Sequence, residues 1–545
     1  MTTIFTNGHF FTGKGTEQAD EASFAECLVI QDDTIVHVGS STDEVVSQAQ
    51  QNGAVVQDLK KKYVLPGFID GHMHLLLLGQ ALQKLDLDGC NDLSEIRERI
   101  SAYAKQNPHV PRILCKGWMQ SMTDNEALAS TLDDLDPRPI FIDAKDLHST
   151  WCNTAALQEL KVDQMVDPQG GTIHRDENGK PSGLLSEAVV FAVIWPHLAR
   201  AASMDEKLDA LKGAISAYTA SGYTGLVDMA MDENTWEALL VLRQQQPNGK
   251  LNLRIAVHWL IVPSADSEAD LKQVDRAIEL HAKYNLESSP DFRIAGIKVI
   301  CDGVIDGCTA ALLEPYTLNG VSCDPLWPQE KLAPVVSRAV KAGLQCALHA
   351  IGDKTVHMVL NVLEAHGTRD GRHRIEHLEM TTAEDAARLG KLGVTASVQP
   401  VHSDPDILRA WPSLIGHDRC RRAFAYRDFV DGGAPIAFGS DSPTAPFKPL
   451  PNIYTATTRR SARLPESEET VNPHFALPLV TAFTAATTGA AYACFADKIT
   501  GKLEKGLKAD FIVVDMEWSK ERLLQATVDE TWFEGRKVFN ADAEI

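Results

Sequence analysis

The sequence lacks an uninterrupted apolar run of the kind that crosses a bilayer. Its longest uncharged stretch, Phe475 to Ala496, is rich in Thr and Ala and contains Pro478 and Gly489. A membrane span needs roughly 20 predominantly apolar residues, so buried helical segments are expected there instead. Met1-Thr2-Thr3-Ile4-Phe5-Thr6-Asn7 has no basic region leading into an apolar core, and no secretory leader is expected. Positive charge is in short supply: 52 Lys and Arg against 74 Asp and Glu give a net charge of −22. That balance argues against nucleic acid and anionic membrane surfaces as partners. The ten cysteines include no C-x-x-C pair, which argues against a zinc ribbon or a disulfide scaffold. Reduced, buried thiols in a cytoplasmic protein are expected. No short repeat of solenoid type is present.

What is present is a globular composition, 44% hydrophobic and 23% charged, over 545 residues. Residues 4–12 read as two short strands around a turn at Asn7-Gly8. Cys27 to Gln31 and Ile35 to Val38 read as a second hairpin turning at Asp32-Asp33. Near the other end, Asp510 to Asp515 reads as a strand, and Trp532 to Phe539 as a hairpin turning at Glu534-Gly535. Strands at both termini suggest one small β domain assembled from the two ends. The middle alternates short apolar strands (Gly225–Asp228, Gly296–Ile300, Gln345–His349, Pro435–Gly439) with segments of helical spacing such as Thr355 to Leu363. Repeated β-then-α units predict an α/β fold with a parallel sheet, open or closed into a barrel.

The strongest chemical signal is Pro66-Gly67-Phe68-Ile69-Asp70-Gly71-His72-Met73-His74. An apolar strand delivers two histidines at i and i+2, which share one face. Two such imidazoles can bind a divalent ion, although an H-x-H pair alone reads more readily as two hydrogen-bonded histidines and gains weight only from partners later in the chain. Further candidates stand at later strand ends: His349, His377 and Asp441. Lys298 sits inside an apolar strand, where a bare ammonium is costly, unless a neighbour such as Asp302 pairs with it. An eight-fold barrel of about 250 residues uses roughly 31 residues per unit. With Lys298 placed on strand 4, that spacing puts His349 on strand 5, His377 on strand 6 and Asp441 on strand 8. More than a hundred residues are left over after strand 1, which predicts an insertion over roughly residues 80–210.

PGFIDGHMH, the strand-borne lysine in IKVICDG, LHAIGD, RIEH and FGSD-S-P follow in the order of the metal-dependent amidohydrolase superfamily, which the chain resembles over nearly its whole length. HAIGD, RHRIEH and Ser397-Val398-Gln399-Pro400-Val401-His402 resemble its amidohydrolase family 3 branch, which includes N-substituted formamide deformylases. Gly117-Trp118 and Gly170-Gly171-Thr172-Ile173 are similar to that branch as well, whereas Asp146-Leu147-His148-Ser149-Thr150 departs from its pattern of a Gly before and Asn-Ser after the insertion histidine. The resemblance implies a distorted (β/α)8 TIM barrel over 65–497 and a β-sandwich built from 1–64 and 498–545.

It further implies that His72, His74 and Asp441 hold one ion, that His349 and His377 hold a second, and that Lys298 is carboxylated by CO₂ into a bridging anion. Imidazole and carboxylate ligands without thiolate point to zinc. The implied reaction is hydrolysis of a non-peptide C–N bond of a small molecule by metal-activated water, with Asp441 moving the proton. A deaminase, a lactone or phosphotriester hydrolase, and a metal-free regulatory relative are the alternatives. Against a deaminase, His349-Ala350-Ile351-Gly352 lacks the Glu of a His-x-x-Glu acid. The insertion is expected to roof the barrel mouth, with Trp118, His148 and Trp151 either lining a substrate pocket or packing a lid. Asp353 is expected to orient a ligand or to cap its helix. Assembly with identical subunits is left open.

Overall fold

The computed structural model describes residues 1–13, 20–124, 126–145, 147–168 and 171–543. Asp146 and Gly170, which belong to motifs quoted above, lie outside the described residues. The chain forms two compact units: Met1–His74 with Ile215–Trp236 and Leu242–Ile545, and Leu75–Ala214 with Glu237–Val241.

The larger unit carries eight parallel strands in sequential order. They are β1 (Phe68–Met73), β2 (Tyr223–Met231), β3 (Arg254–Ile261), β4 (Phe292–Ile300), β5 (Gln345–Ala350), β6 (Arg374–His377), β7 (Thr395–Val398) and β8 (Ile436–Phe438). Burial is nearly continuous along them, as parallel strands covered on both faces require. Helices follow most of the strands. The helix after β6, Ala383–Leu392, opens with the Thr382 hydroxyl accepting from Asp385 N–H and closes at Gly393 with φ +70°. The ring is nearly closed: β1 and β8 meet through a parallel bridge between Met73 and Ser442, and His74 N–H donates to the Ser442 carbonyl at 2.9 Å.

Two glycines make that meeting possible. A Cβ at Gly71 would lie 2.6 Å from the Phe438 carbonyl oxygen, and one at Gly439 would lie 2.6 Å from His72 backbone nitrogen. Any side chain at either position would force β1 and β8 apart.

The same unit contains an eight-stranded sheet made from both ends of the chain. Its centre pairs Phe511–Asp515 antiparallel with Tyr63–Pro66, and one hydrogen-bonded sheet runs through all of it. Phe5, Phe10, Leu28, Val64, Phe511 and Val513 form part of its core. The expected hairpin at Asn7-Gly8 is absent. Thr2–Phe11 is a single strand that pairs with Phe24–Gln31 on either side of a bulge between Thr6 and Phe10. Asn7 takes the left-handed conformation there, φ 53°, and the N-G signal marks a bulge rather than a reversal. The turns at Asp32-Asp33 and Glu534-Gly535 join antiparallel partners as expected.

The smaller unit is built on a six-stranded mixed sheet. Its strands include Ile113–Trp118, Ile140–Ala144, Ser149–Cys152 and Pro181–Glu187. Among the described residues no helix is long and apolar enough to cross a membrane. Phe475 to Ala496 is instead divided between Leu479–Thr484, a π-helical turn at Ala485–Gly489 and Ala490–Ala493.

Candidate metal centre

β1 delivers His72 and His74 to the mouth of the barrel. His72 Nδ1 lies 2.7 Å from Glu376 Oε2, and His74 Nδ1 lies 2.6 Å from the Met229 carbonyl oxygen. An ionised carboxylate and a carbonyl only accept, so each Nδ1 carries the proton. Both Nε2 lone pairs are then free, and they stand 3.3 and 3.1 Å from Asp441 Oδ1. Three lone-pair groups pointing at one another require a cation among them, a proton or a metal ion. Burial works to lower the His74 pKa, but Asp441 and Asp228 outweigh it and the net shift is upward. Burial works to raise the Asp441 carboxyl, but His72 and His74 hold it well below the usual carboxylate range.

Asp441 reaches this point because the chain leaving β8 is sewn to β1. The His72 carbonyl accepts from Ser440 N–H at 3.1 Å and Asp441 N–H at 2.7 Å. Asp70, buried beneath, accepts from His72 N–H at 3.1 Å, Ser440 N–H at 2.9 Å, Ser440 Oγ at 2.6 Å and Tyr218 Oη at 2.8 Å. Asp441 itself is held at φ 57°, which costs a non-glycine residue about 1–2 kcal/mol.

A second left-handed residue completes the centre. Alternation along β6 sends Glu376 and His377 to opposite faces. His377 has φ 77° and Leu378 φ 52°, and this reversal lets both residues reach His72. Glu376 does so by its hydrogen bond; the His377 ring lies 5.0 Å from that of His72 and 4.3 Å from that of His349, centroid to centroid. His349 Nε2 and His377 Nδ1 are buried without a hydrogen-bond partner among the described residues. Burial, then the Lys298 charge, pushes the His349 imidazole down to about 3. Burial, then His349, pushes His377 well below its ordinary value. Both rings are therefore neutral and able to donate lone pairs.

Lys298 on β4 is 2% exposed and forms no ion pair among the described residues. Asp302, the neighbour that could have neutralised it, accepts instead from Ala311, Ile351 and Gly352 N–H at 3.1, 3.0 and 2.9 Å. Burial pulls the Lys298 pKa down, against the upward pull of Glu376 and Asp441.

The donor set fits a divalent cation. His72, His377 and Asp441 place ligand atoms within 4.8 Å of one another, and so do His377, Glu379 and His402. Glu379 and His402 were not among the residues expected from the sequence. They lie beyond the ends of β6 and β7, and the segment SVQPVH was the one signal that touched either. His402 Nδ1 is 3.4 Å from Glu379 Oε1, and its Nε2 is 3.8 Å from Asp441 Oδ2. Arg374 is also part of the centre: it grips Glu376 at 2.6 Å and is wholly buried.

Of the residues considered for substrate, Trp118, His148 and Trp151 belong to the smaller unit and Asp353 to the larger. Trp118 and Trp151 are 0% exposed and pack against each other at 5.4 Å in the core of the smaller unit. Side chains with no free surface serve packing, one of the two roles expected of them. His148, in the same unit, is half-buried and pairs with Glu187 at 2.9 Å. Asp353 opens the helix Asp353–His366, and its carboxylate accepts from Leu313 N–H at 2.8 Å and Lys354 N–H at 3.0 Å. Both bonds fall on Oδ1, which ties a loop to the start of the helix.

Residues 55–539 match the Amidohydrolase family. The chain is similar to the Arabidopsis thaliana protein LONG AFTER FAR-RED 3, at 29% identity over 98% of this chain and 91% of that one. It is also similar to the N-substituted formamide deformylase of Arthrobacter pascens, at 24% identity over 90% of each chain. In fold it is similar to an uncharacterized metal-dependent hydrolase from Pyrococcus furiosus, with a TM-score of 0.77 at 24% identity, covering 95% of this chain and 100% of the other. With the match running across the whole barrel and into the terminal sheet, the chain belongs to the amidohydrolase family.

Proposed function

We propose that the protein hydrolyses a non-peptide C–N bond, of amide type, in a small molecule. One observation carries the reading: four imidazoles, one carboxylate and an unpaired buried amine meet at a single barrel mouth, with the β1 histidines locked as Nε2 donors. His72, His74 and Asp441 would hold one ion and His349 and His377 a second. Lys298 would bridge them once carboxylated, and its buried, charge-disfavoured amine is the state that reacts with CO₂. A divalent cation there, zinc by donor type, supplies Lewis acidity and lowers the pKa of a water toward neutrality.

The chain's own residues do the rest. Glu376 and the Met229 carbonyl fix the tautomers of His72 and His74. Asp441 turns Oδ1 to those two rings, which leaves Oδ2 to take the proton of the attacking water. From there it passes the proton to the departing nitrogen, so that an acid and an amine are released. An amide is preferred over other electrophiles because N-substituted formamide deformylase is among the relatives that align with nearly the whole chain.

The test is a hydrolysis screen of N-formyl and N-acyl amines, lactones and cyclic amides, run before and after chelation. Amide hydrolysis should vanish with the metal and return on adding zinc. Unchanged turnover by metal-free protein refutes the proposal, and turnover of lactones alone refutes the amide assignment.

A further inference from the structure

One inward side chain at the barrel mouth has no part in the hydrolytic scheme. Ser397 on β7 aligns with Glu376 on β6, and its Oγ accepts from Arg374 Nη2 at 2.5 Å, inside the barrel. Gln399 lies two residues further and is still extended, at φ −117° and ψ 90°. Its side chain therefore projects from the same inward face, one pleat nearer the mouth. His402 follows on the same exit and stands 3.8 Å from Asp441 Oδ2, which sets the end of β7 against the candidate metal centre. Gln399 is 1% exposed. Its Oε1 and its Nε2 are both buried with no hydrogen-bond partner among the described residues.

Buried polar groups in folded proteins almost always have partners, and one with neither end satisfied asks what it is for. A carboxamide offers an acceptor and a donor side by side. It is completed by a ligand whose own donor and acceptor lie on one edge. Primary amides, ureas, lactams and cyclic imides have that edge. A trans secondary amide turns its N–H and C=O in opposite directions and does not. We infer that Gln399 is a substrate-positioning residue, and that the group it reads is an amide-type edge with N–H and C=O on the same side. The inference rests on the reading of this mouth as the hydrolytic site, and it narrows the substrates of that site.

The test is binding rather than turnover. The affinities of 2-pyrrolidinone and of cyclopentanone, which has the same shape and carbonyl but no N–H, are measured by calorimetry or ligand-observed NMR. The proteins are the zinc-loaded wild type, Gln399→Met and Gln399→Glu, each checked for metal content and melting temperature. The wild type should prefer the lactam by about tenfold or more, the discrimination expected when a buried polar group is left unpaired. Gln399→Met should bind the two probes within about twofold of each other. Gln399→Glu, which keeps the acceptor and loses the donor, should bind both more weakly than the wild type, and it carries the test if Gln399→Met does not fold. No preference in the wild type, a preference that survives in Gln399→Met, unchanged binding by Gln399→Glu, or no binding of either probe overturns the inference. Lactam preference in a protein that hydrolyses no amide would sink the proposed function and leave this assignment standing.

Discussion

Glu376→Gln separates the support of the centre from the centre itself. In the native protein one buried carboxylate receives three donors: Arg374 Nε on Oε1 at 2.6 Å, and Arg374 Nη2 and His72 Nδ1 on Oε2 at 3.1 and 2.7 Å. A glutamine has one acceptor oxygen, so at least one donor must face its NH₂. The other partners of Arg374, Gly71 O and Ser397 Oγ, are neutral. The substitution therefore leaves a fully buried guanidinium without a counter-charge, which costs about 3–5 kcal/mol. At about 2.1 cal/mol/K of unfolding entropy per residue, the metal-free protein should melt about 3–4 °C lower. Loss of the carboxylate also frees the His72 ring to turn and to change tautomer, so metal affinity should fall about 10–100-fold. Differential scanning calorimetry of chelated protein reads the first effect, and competitive zinc titration reads the second. A variant that melts lower but binds zinc as the wild type does would refute the claim that Glu376 sets the His72 tautomer. Unchanged melting would refute the claim that it neutralises Arg374.

Lys298→Ala should lose metal and hydrolysis together, with partial rescue of both by acetate or formate; an unaltered metal content measured by mass spectrometry would rule out a bridging role. His258 on β3 is wholly buried, and burial, reinforced by the Arg374 charge, pushes its pKa down to about 3. The unfolded chain, with an ordinary value of about 6.5, binds the proton first as pH falls. Its stability contribution is complete above that value and is lost at about 1.4 kcal/mol per pH unit on the way down. The melting temperature of His258→Gln should therefore fall less steeply than that of the wild type between about pH 6 and pH 4, and parallel curves would contradict the assignment. Trp118→Ala should destabilise the smaller unit by about 3–5 kcal/mol without changing zinc stoichiometry, whereas weaker substrate binding at unchanged stability would decide for the pocket role.

What the sequence made legible follows from two periodicities, and what it hid follows from where they stop. Strand alternation put His72 and His74 on one face, and both Nε2 atoms do turn to Asp441. The β-then-α rhythm predicted a parallel sheet, and eight parallel strands stand in sequence. The same alternation separates Glu376 from His377, and it gives no hint that a left-handed residue, φ 77°, returns both to His72. No propensity forecasts such a backbone at a histidine. It costs energy locally and is held by the surrounding hydrogen bonds, so it belongs to tertiary structure. Glu379 and His402 are hidden for the same reason, since each lies past a strand end where no period applies. Trp118 and Trp151 were left with two readings for another reason: an aromatic in an insertion reads the same whether it lines a pocket or fills a core, and only burial separates the two. Asn7-Gly8 shows this on a small scale, because a left-handed residue followed by glycine suits a hairpin turn and a bulge alike. Pairing with Phe24–Gln31 on both sides of the pair decides for the bulge. Residue types and spacings thus name the atoms that can meet, while the left-handed turns at His377 and Asp441, and the glycines at 71 and 439, decide that they do.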